Sequence, residues 1–370
     1  MRPFDIGFLG GGQLARMSIH AAQRMGLACL SLDPGTDTPA SQVAKAIAGS
    51  LSDTMHVAEL FRSCERVTLE NEFIPAETIR DAMKLAGREE SALLPGTSSL
   101  ETTQDKLLQR RTYDKHGVPS PKAVALSDDG EEAVAKIGFP MVLKSRFGGY
   151  DGKGTRYAND LAELDSFNRL WRDGGWLAEQ FVAFRRELSV MVCRSAQQTT
   201  CFPTVETRQS NLVCDLVLPC DADAREVAVS AVEAIDGFGL FGVEMFELES
   251  GDIEVNEIAP RPHNAGHYTL DWGGVSQFEA HIRLVMGLPL PALSGQEVCM
   301  ANLLGIEGAV NLRGAVAAAM GPDAAVFVHW YGKREVRDGR KMGHLNAVGA
   351  DCVQRAHAAR ERFLRAWAGA

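Results

Sequence analysis

The chain has 370 residues, 45% of them apolar and 23% charged, with a formal net charge of −10. That length allows two or three domains with a sizeable core, and the acidic balance argues against nucleic-acid binding as the main task. No apolar run reaches the ~18 residues of a membrane span, the opening MRPFDIGFLGGGQ has no secretory apolar core, and eight cysteines without a C-x-x-C pair point to reduced thiols rather than zinc. A cytoplasmic protein is expected.

In chain order, residues 4–10 (FDIGFLG) read as a buried strand entering a glycine turn. Residues 13–25 read as a helix, and 27–32 as a second strand ending at Asp33-Pro34-Gly35. This is an α/β opening. Gly10-Gly11-Gly12-Gln13-Leu14-Ala15 satisfies G-x-G-x-x-A, with Asp33 about 20 residues on, as in a dinucleotide-binding fingerprint. Any tight strand-to-helix turn selects glycines, so a structural turn or a turn holding another anion competes with NAD. The expectation is that NAD(H) does not bind.

Residues 65–69 and 91–95 predict short strands on either side of a helix at 75–87. A helix over 101–116 ends at Gly117, and the following Val-Pro-Ser-Pro is a boundary signal. Residues 139–144 (FPMVLK) form a buried strand ending in Lys144, which runs into SRFGGYDGKG. Bare backbone of this kind lets N–H groups approach phosphate oxygens. The P-loop pattern is not met, because Gly154 follows Gly152-Lys153 and Phe147 stands where the first glycine belongs. The segment is either an ordinary turn or part of a different nucleotide-binding design.

Farther on, 176–182 and 187–193 alternate as strands, 225–237 is a helix and 240–257 a hairpin. A helix near 276–287, a strand at 326–331, a basic loop GKREVRDGRKMGH and a helix from 352 complete the chain. A two-residue turn at Ser250-Gly251 sets Glu249 opposite Asp252 and Leu248 opposite Ile253. Counting outward brings Glu244 opposite Glu257. Facing carboxylates repel unless a cation lies between them, and hard oxygens suit Mg²⁺. Asn256 adds another oxygen. A solvated acidic hairpin remains the alternative.

The segments GGGQLARM, VLKSRFGGYDGKG, VNEIAPRPHNAGH, SQFEAHIRLVMGLPLP and HWYGKREVRDGRKMGHLN occur in this order and span most of the chain. Together they resemble the ATP-grasp superfamily, and within it the 5-(carboxyamino)imidazole ribonucleotide synthases of purine biosynthesis. The resemblance implies an α/β (α+β overall) fold. It comprises an N-terminal Rossmann-like pre-ATP-grasp domain (1–104), a central ATP-grasp domain (105–298) and a small C-terminal β-rich domain (299–370). The implied enzyme is a homodimeric ligase. It uses ATP and Mg²⁺ to convert bicarbonate to carboxyphosphate and then carboxylates 5-aminoimidazole ribonucleotide, releasing ADP and phosphate.

The same resemblance implies residue roles. Lys106 and Lys144 neutralise the ATP phosphates, and Gly149, Tyr150, Asp151, Gly152, Lys153, Gly154 and Thr155 form a lid over them. Glu179, Gln180, Phe181 and Val182 are the adenine linker, and Glu187 meets the ribose. Glu244 and Glu257 hold Mg²⁺ beside Asn256. Arg261, His263 and Asn264 stand where carboxyphosphate forms. Glu72, Tyr150 and Asp151 contact the aminoimidazole ribonucleotide, and Lys333 and Arg340, with Lys341 assisting, grip its 5′-phosphate. Three positions depart from the family pattern: Lys106 is often arginine, Gln209 replaces a histidine, and Arg334 is an extra residue. The rival readings are another ATP-grasp ligase, such as a formate-dependent glycinamide ribonucleotide transformylase, an NAD-dependent oxidoreductase, and a catalytically dead ATP-binding module.

Overall fold

The computed structural model describes residues 2–126, 130–149, 154–167, 174–308, 311–322 and 324–369. Strand β1 (Phe4–Leu9), helix α1 (Gln13–Arg24), β2 (Cys29–Asp33), β3 (Lys45–Ala48), α2 (Thr54–Ser63), β4 (Cys64–Leu69) and α3 (Ala76–Ala86) open the chain. The four strands form a parallel sheet in the order β3-β2-β1-β4. Both faces of β1 are covered, which is why FDIGFL reads as a nearly continuous apolar run. Ile6 and Phe8 pack with α1, and Leu9 packs with α2 and α3.

Two expectations in this region need correction. Residues 91–95 are not a strand; Glu90–Ala92 is a 3₁₀ turn, and a single bridge joins Val67 to Leu93. The helix expected over 101–116 is two helices, α4 (Thr97–Gln104) and α5 (Lys106–His116). They break at Asp105, which is extended and caps α5 by accepting from the N–H groups of Leu107 and Leu108. Aspartate is favoured at this position because its carboxylate satisfies the free N–H groups of the first turn.

Next come β5 (Ala123–Ala125), α6 (Glu131–Lys136), β6 (Met141–Ser145), β7 (Thr155–Ala158), α7 (Leu161–Ser166) and β8 (Trp176–Gln180). Their strands make a small antiparallel sheet, ordered β5-β8-β6-β7. The second sheet begins with β9 (Phe184–Arg194), β10 (Thr199–Cys201), β11 (Val205–Ser210) and β12 (Val213–Pro219). After α8 (Arg225–Ala234) it continues through β13 (Gly239–Leu248) and β14 (Ile253–Ala259). Leu188, Val190, Phe241, Val243 and Met245 of this sheet pack under Ala228, Ala231 and Val232 of α8 and Tyr113 of α5.

Helix α9 (Gln277–Val285) then crosses to the first domain, where Phe278, Ile282 and Val285 join Ile6, Phe8 and Leu14. Strand β15 (Val298–Leu304), α10 (Leu312–Met320), β16 (Val326–Trp330), β17 (Lys341–Val348) and α11 (Cys352–Trp367) end the fold. Pairing of β15 with β12 extends the large sheet to nine strands among the described residues, in the order β14-β13-β9-β11-β12-β15-β17-β16, with β10 on β9. The expected basic loop is shorter than its sequence suggested, because Lys341 already opens β17.

Candidate active site

A cavity of about 870 Å³ lies between the small sheet, the large sheet and the loop after β4. Its charged floor is built by ordinary strand geometry. Val142 of β6 pairs with Glu179 of β8, and Lys144 stands two residues on, so Lys144 and Glu179 share a face. Lys144 Nζ lies 2.6 Å from Glu179 Oε2 and donates to Asn256 Oδ1 at 3.2 Å. The opposite oxygen of Glu179 accepts from Arg110 Nε at 2.9 Å, and Arg110 Nη2 donates to the Asn256 carbonyl at 2.6 Å. Glu179 and Arg110 are 2% and 4% exposed. Burial alone would raise the Glu179 carboxyl, but Arg110 and Lys144 overcome this and hold it near 2.

Arg110 went unnoticed in the sequence. Its signal is the i, i+4 spacing from Lys106, which sets both cations on one side of α5. Lys106 pairs with Glu257 across the cavity. Burial works against the Lys106 charge, and the Glu257 carboxylate more than offsets it.

Glu244 does face Glu257, but not for the simple reason counted from the turn. Glu247, not Leu248, pairs with Ile253, so the loop carries an extra residue. A bulge at Asn256 restores the register, leaving Met245 opposite Val255 and Glu244 opposite Glu257. Bulges re-aim the residue they insert; here Asn256 reaches both Lys144 and Arg110. Burial, and then repulsion from Glu257, pushes the Glu244 carboxyl up to about 7. Among the described residues no group of three or more His, Cys, Asp or Glu forms a metal-binding cluster. The facing pair itself offers hard carboxylate oxygens, with one side of Glu257 held by Lys106.

Past β14 the chain turns through Arg261, His263 and Asn264, all on the cavity wall. Arg261 forms a two-pronged ion pair with Glu72, its Nη2 at 2.7 Å from Oε1. His263 accepts the Ala265 N–H at Nδ1, so its proton sits on Nε2, 3.5 Å from Glu244. Burial, with Arg261 and Lys341 nearby, lowers its imidazole to about 3 and keeps it neutral. Gly242 makes room for this ring, since a Cβ there would lie 2.5 Å from the His263 Cβ. Gly242→Ala is expected to displace His263 and to cut turnover about tenfold, which steady-state kinetics would check. Asn264 exchanges two amide hydrogen bonds, 2.7 and 3.1 Å, with buried Asn302 of β15, another residue missed in the sequence.

Gly149, Gly154, Thr155, Gln180, Phe181, Val182 and Glu187 also line the cavity. Phe181 meets Tyr157 edge-on at 6.4 Å. Burial raises the Glu187 carboxyl and a hydrogen bond from Gln209 opposes it, so Gln209 touches the residue expected at the ribose. Tyr150, Asp151, Gly152 and Lys153 lie outside the described residues. Lys341 lines the cavity, but Lys333 and Arg340 are not part of its wall. Lys333 Nζ donates to the Lys341 carbonyl at 2.6 Å, and Arg340 donates to the Glu335 carbonyl at 2.9 Å. The extra Arg334 reaches Asp37 at 3.7 Å. Asp33 of the fingerprint accepts from the Gly11 and Gly35 N–H groups, 2.8 Å each, and so braces the turn itself.

Three family models match successive stretches of the chain. The ribonucleotide synthetase preATP-grasp domain matches residues 4–104, the ATP-grasp domain 111–278, and the phosphoribosylaminoimidazole carboxylase C-terminal domain 298–358. The chain is 38% identical to an N5-carboxyaminoimidazole ribonucleotide synthase of Synechococcus elongatus, over 96% of this chain and 92% of that one. It is 37% identical to a phosphoribosylaminoimidazole carboxylase of Ogataea methanolica, a longer protein of which it covers 68%. Among solved structures, the carboxyaminoimidazole ribonucleotide synthase of Aspergillus clavatus complexed with ATP superposes with a TM-score of 0.88 at 30% identity, covering 98% of each chain. The Aspergillus clavatus synthase in complex with ADP and 5-aminoimidazole ribonucleotide gives 0.87 at 30% identity, covering 99% of each. The chain belongs to the N5-carboxyaminoimidazole ribonucleotide synthases, ADP-forming ligases of the ATP-grasp class.

Proposed function

We propose that the protein carboxylates the exocyclic amine of 5-aminoimidazole ribonucleotide, consuming ATP and bicarbonate and releasing ADP and phosphate. The observation that carries this reading is the meeting, in one cavity, of two kinds of group. Lys106, Lys144 and the Glu244–Glu257 pair form an end suited to a polyphosphate with its cation. Glu72, Arg261, His263, Asn264 and Lys341 form an end suited to smaller anions.

Lys106 and Lys144 neutralise phosphate oxygens, and Glu179 with Arg110 fixes where Lys144 points. The backbone near Gly149, Gly154 and Thr155 leaves room for phosphate, with Tyr150, Asp151, Gly152 and Lys153 completing the lid by resemblance. Adenine rests along Glu179, Gln180, Phe181 and Val182, and Glu187 takes the ribose. Glu244 and Glu257, with Asn256 beside them, would hold Mg²⁺. Their hard oxygens fit this ion, and its charge removes the repulsion that raises Glu244. When bound it neutralises charge on the transferring phosphoryl group.

Bicarbonate oxygen attacks the γ-phosphorus, ADP leaves, and carboxyphosphate forms beside Arg261, His263 and Asn264. Arg261 supplies positive charge beside this anion, its Nε and Nη2 being held in place by Glu72. Neutral His263 donates from Nε2. The amine then attacks the carboxyl carbon of carboxyphosphate or of the CO₂ it releases. The resemblance gives the 5′-phosphate to Lys333, Arg340 and Lys341, and the tie from Lys333 to the Lys341 carbonyl makes two of these one unit. The same reading includes a cytoplasmic homodimer and the domain division 1–104, 105–298 and 299–370.

The test is ADP release with Mg-ATP, with and without 5-aminoimidazole ribonucleotide, in bicarbonate-containing and bicarbonate-depleted buffer. Stimulation by the ribonucleotide, with carboxylated product only when bicarbonate is present, is expected. ATP binding without stimulation would remove the substrate assignment. Stimulation instead by glycinamide ribonucleotide and formate would favour the transformylase.

A further inference from the structure

The glycine turn at residues 10–15 has an occupant. Glu70 follows β4 directly, and its N–H donates to the Leu9 carbonyl at 2.9 Å. Its carboxylate lies over the turn. A Cβ on Gly12 would collide with its Oε1, and one on Gly10 would come 2.8 Å from its Oε2. The Leu14 backbone N–H and, at 3.4 Å, Asn71 Nδ2 donate to it. The place where such turns receive a ligand's phosphate is therefore filled by the protein's own carboxylate.

This cradle sits on the cavity wall, since Gln13, Leu14, Glu70, Asn71 and Glu72 line it together. Three other carboxylates on the cavity wall are held in ion pairs. Glu72 pairs with Arg261, Glu179 with Arg110 and Lys144, and Glu257 with Lys106. Among the described residues Glu70 forms no ion pair. The charges facing it are Arg261, from the segment after β14, and Asp33, at the end of β2.

We propose that Glu70 accepts the proton lost by the substrate's exocyclic amine during carboxylation. The inference rests on the function proposed above. As the N–C bond forms, the bond from the carboxyl carbon to the phosphate oxygen breaks, and phosphate leaves with that electron pair. When CO₂ is the acceptor, the electron pair instead moves onto a carboxyl oxygen. The amine proton passes to a Glu70 oxygen and from there to solvent. Burial places this carboxyl near 7, with Arg261 and Asn71 opposing and Asp33 adding to the rise. A base is most effective when its pKa lies near the working pH.

The experiment compares the unaltered enzyme with Glu70→Gln and Glu70→Asp, following carboxylated product and ADP between pH 5.5 and 8.5 (a span of about 1.5 units either side of the expected value). For the unaltered enzyme, product formation should rise with pH through about 7. Glu70→Gln should form product about 10²-fold more slowly, lose that rise, and make less product per ADP released. Glu70→Asp should be slower but keep the rise, and it decides the matter if the glutamine variant does not fold. A glutamine variant within about twofold of the parent, or one that keeps the rise, would overturn the proposal. So would an aspartate variant without the rise. If the unaltered enzyme makes no carboxylated product, the carboxylation reading fails, and this assignment with it.

Discussion

Glu257→Ala is expected to lower ATP-dependent turnover by about 10²-fold or more, the usual effect of removing a group that stabilises charge at a reacting centre. The residue does two things at once. It faces Glu244 across the hairpin, and it holds Lys106 in an ion pair. On the proposed function, its loss leaves one carboxylate for the cation and frees the lysine assigned to the phosphates. Alanine at Glu244 or Lys144 should cost a similar factor. The measurement is ADP release at saturating ATP over a range of Mg²⁺ concentrations. For a weakened cation site, part of the loss returns at high Mg²⁺. Near-full turnover by the Glu257 variant would show that the metal assignment is wrong.

Arg110→Ala is expected to destabilise the protein by about 3–5 kcal/mol, the cost of leaving one member of a buried ion pair without its partner. Glu179 would keep Lys144 but lose the Arg110 fork, and the Asn256 carbonyl would lose its donor. Arg110→Lys, with the charge but not the planar fork, should fall between. The pH dependence follows from Glu179. Its folded value, near 2, lies below the ordinary carboxylate value of 4.5. Its stabilising contribution is therefore complete above about 4.5 and disappears as pH falls toward 2. In Arg110→Ala that acid-sensitive range should move upward. Calorimetric melting of parent and variant at neutral and acidic pH checks both expectations. A variant melting within a degree of the parent at neutral pH would remove the network from the account of stability.

The network also shows how far local sequence reasoning reaches. Lys144 was expected in the site from its strand and glycine loop, Glu257 from the hairpin count and Lys106 from the family resemblance; all three line the cavity. Arg110 was missed: its i, i+4 spacing from Lys106 places both on one side of a helix in any case, but its buried partner Glu179 lies 69 positions away. The Glu244–Glu257 pairing was anticipated from a count that was wrong in the turn. The extra loop residue and the bulge cancel, and nothing within the hairpin announces the bulge. Asn256 is held in it by Lys144 and Arg110, 112 and 146 positions away.

Strand and helix periodicity, the glycine-rich segments and the order of the family motifs were determined by the sequence alone, because neighbouring residues impose them. The pairing of Arg261 with Glu72 across 189 positions, the locking of Asn264 by Asn302 and the seating of Glu70 over Gly12 were decided only by the tertiary structure. Each depends on which distant side chain arrives at a buried polar group, and burial makes that group require a partner without specifying where in the chain the partner lies.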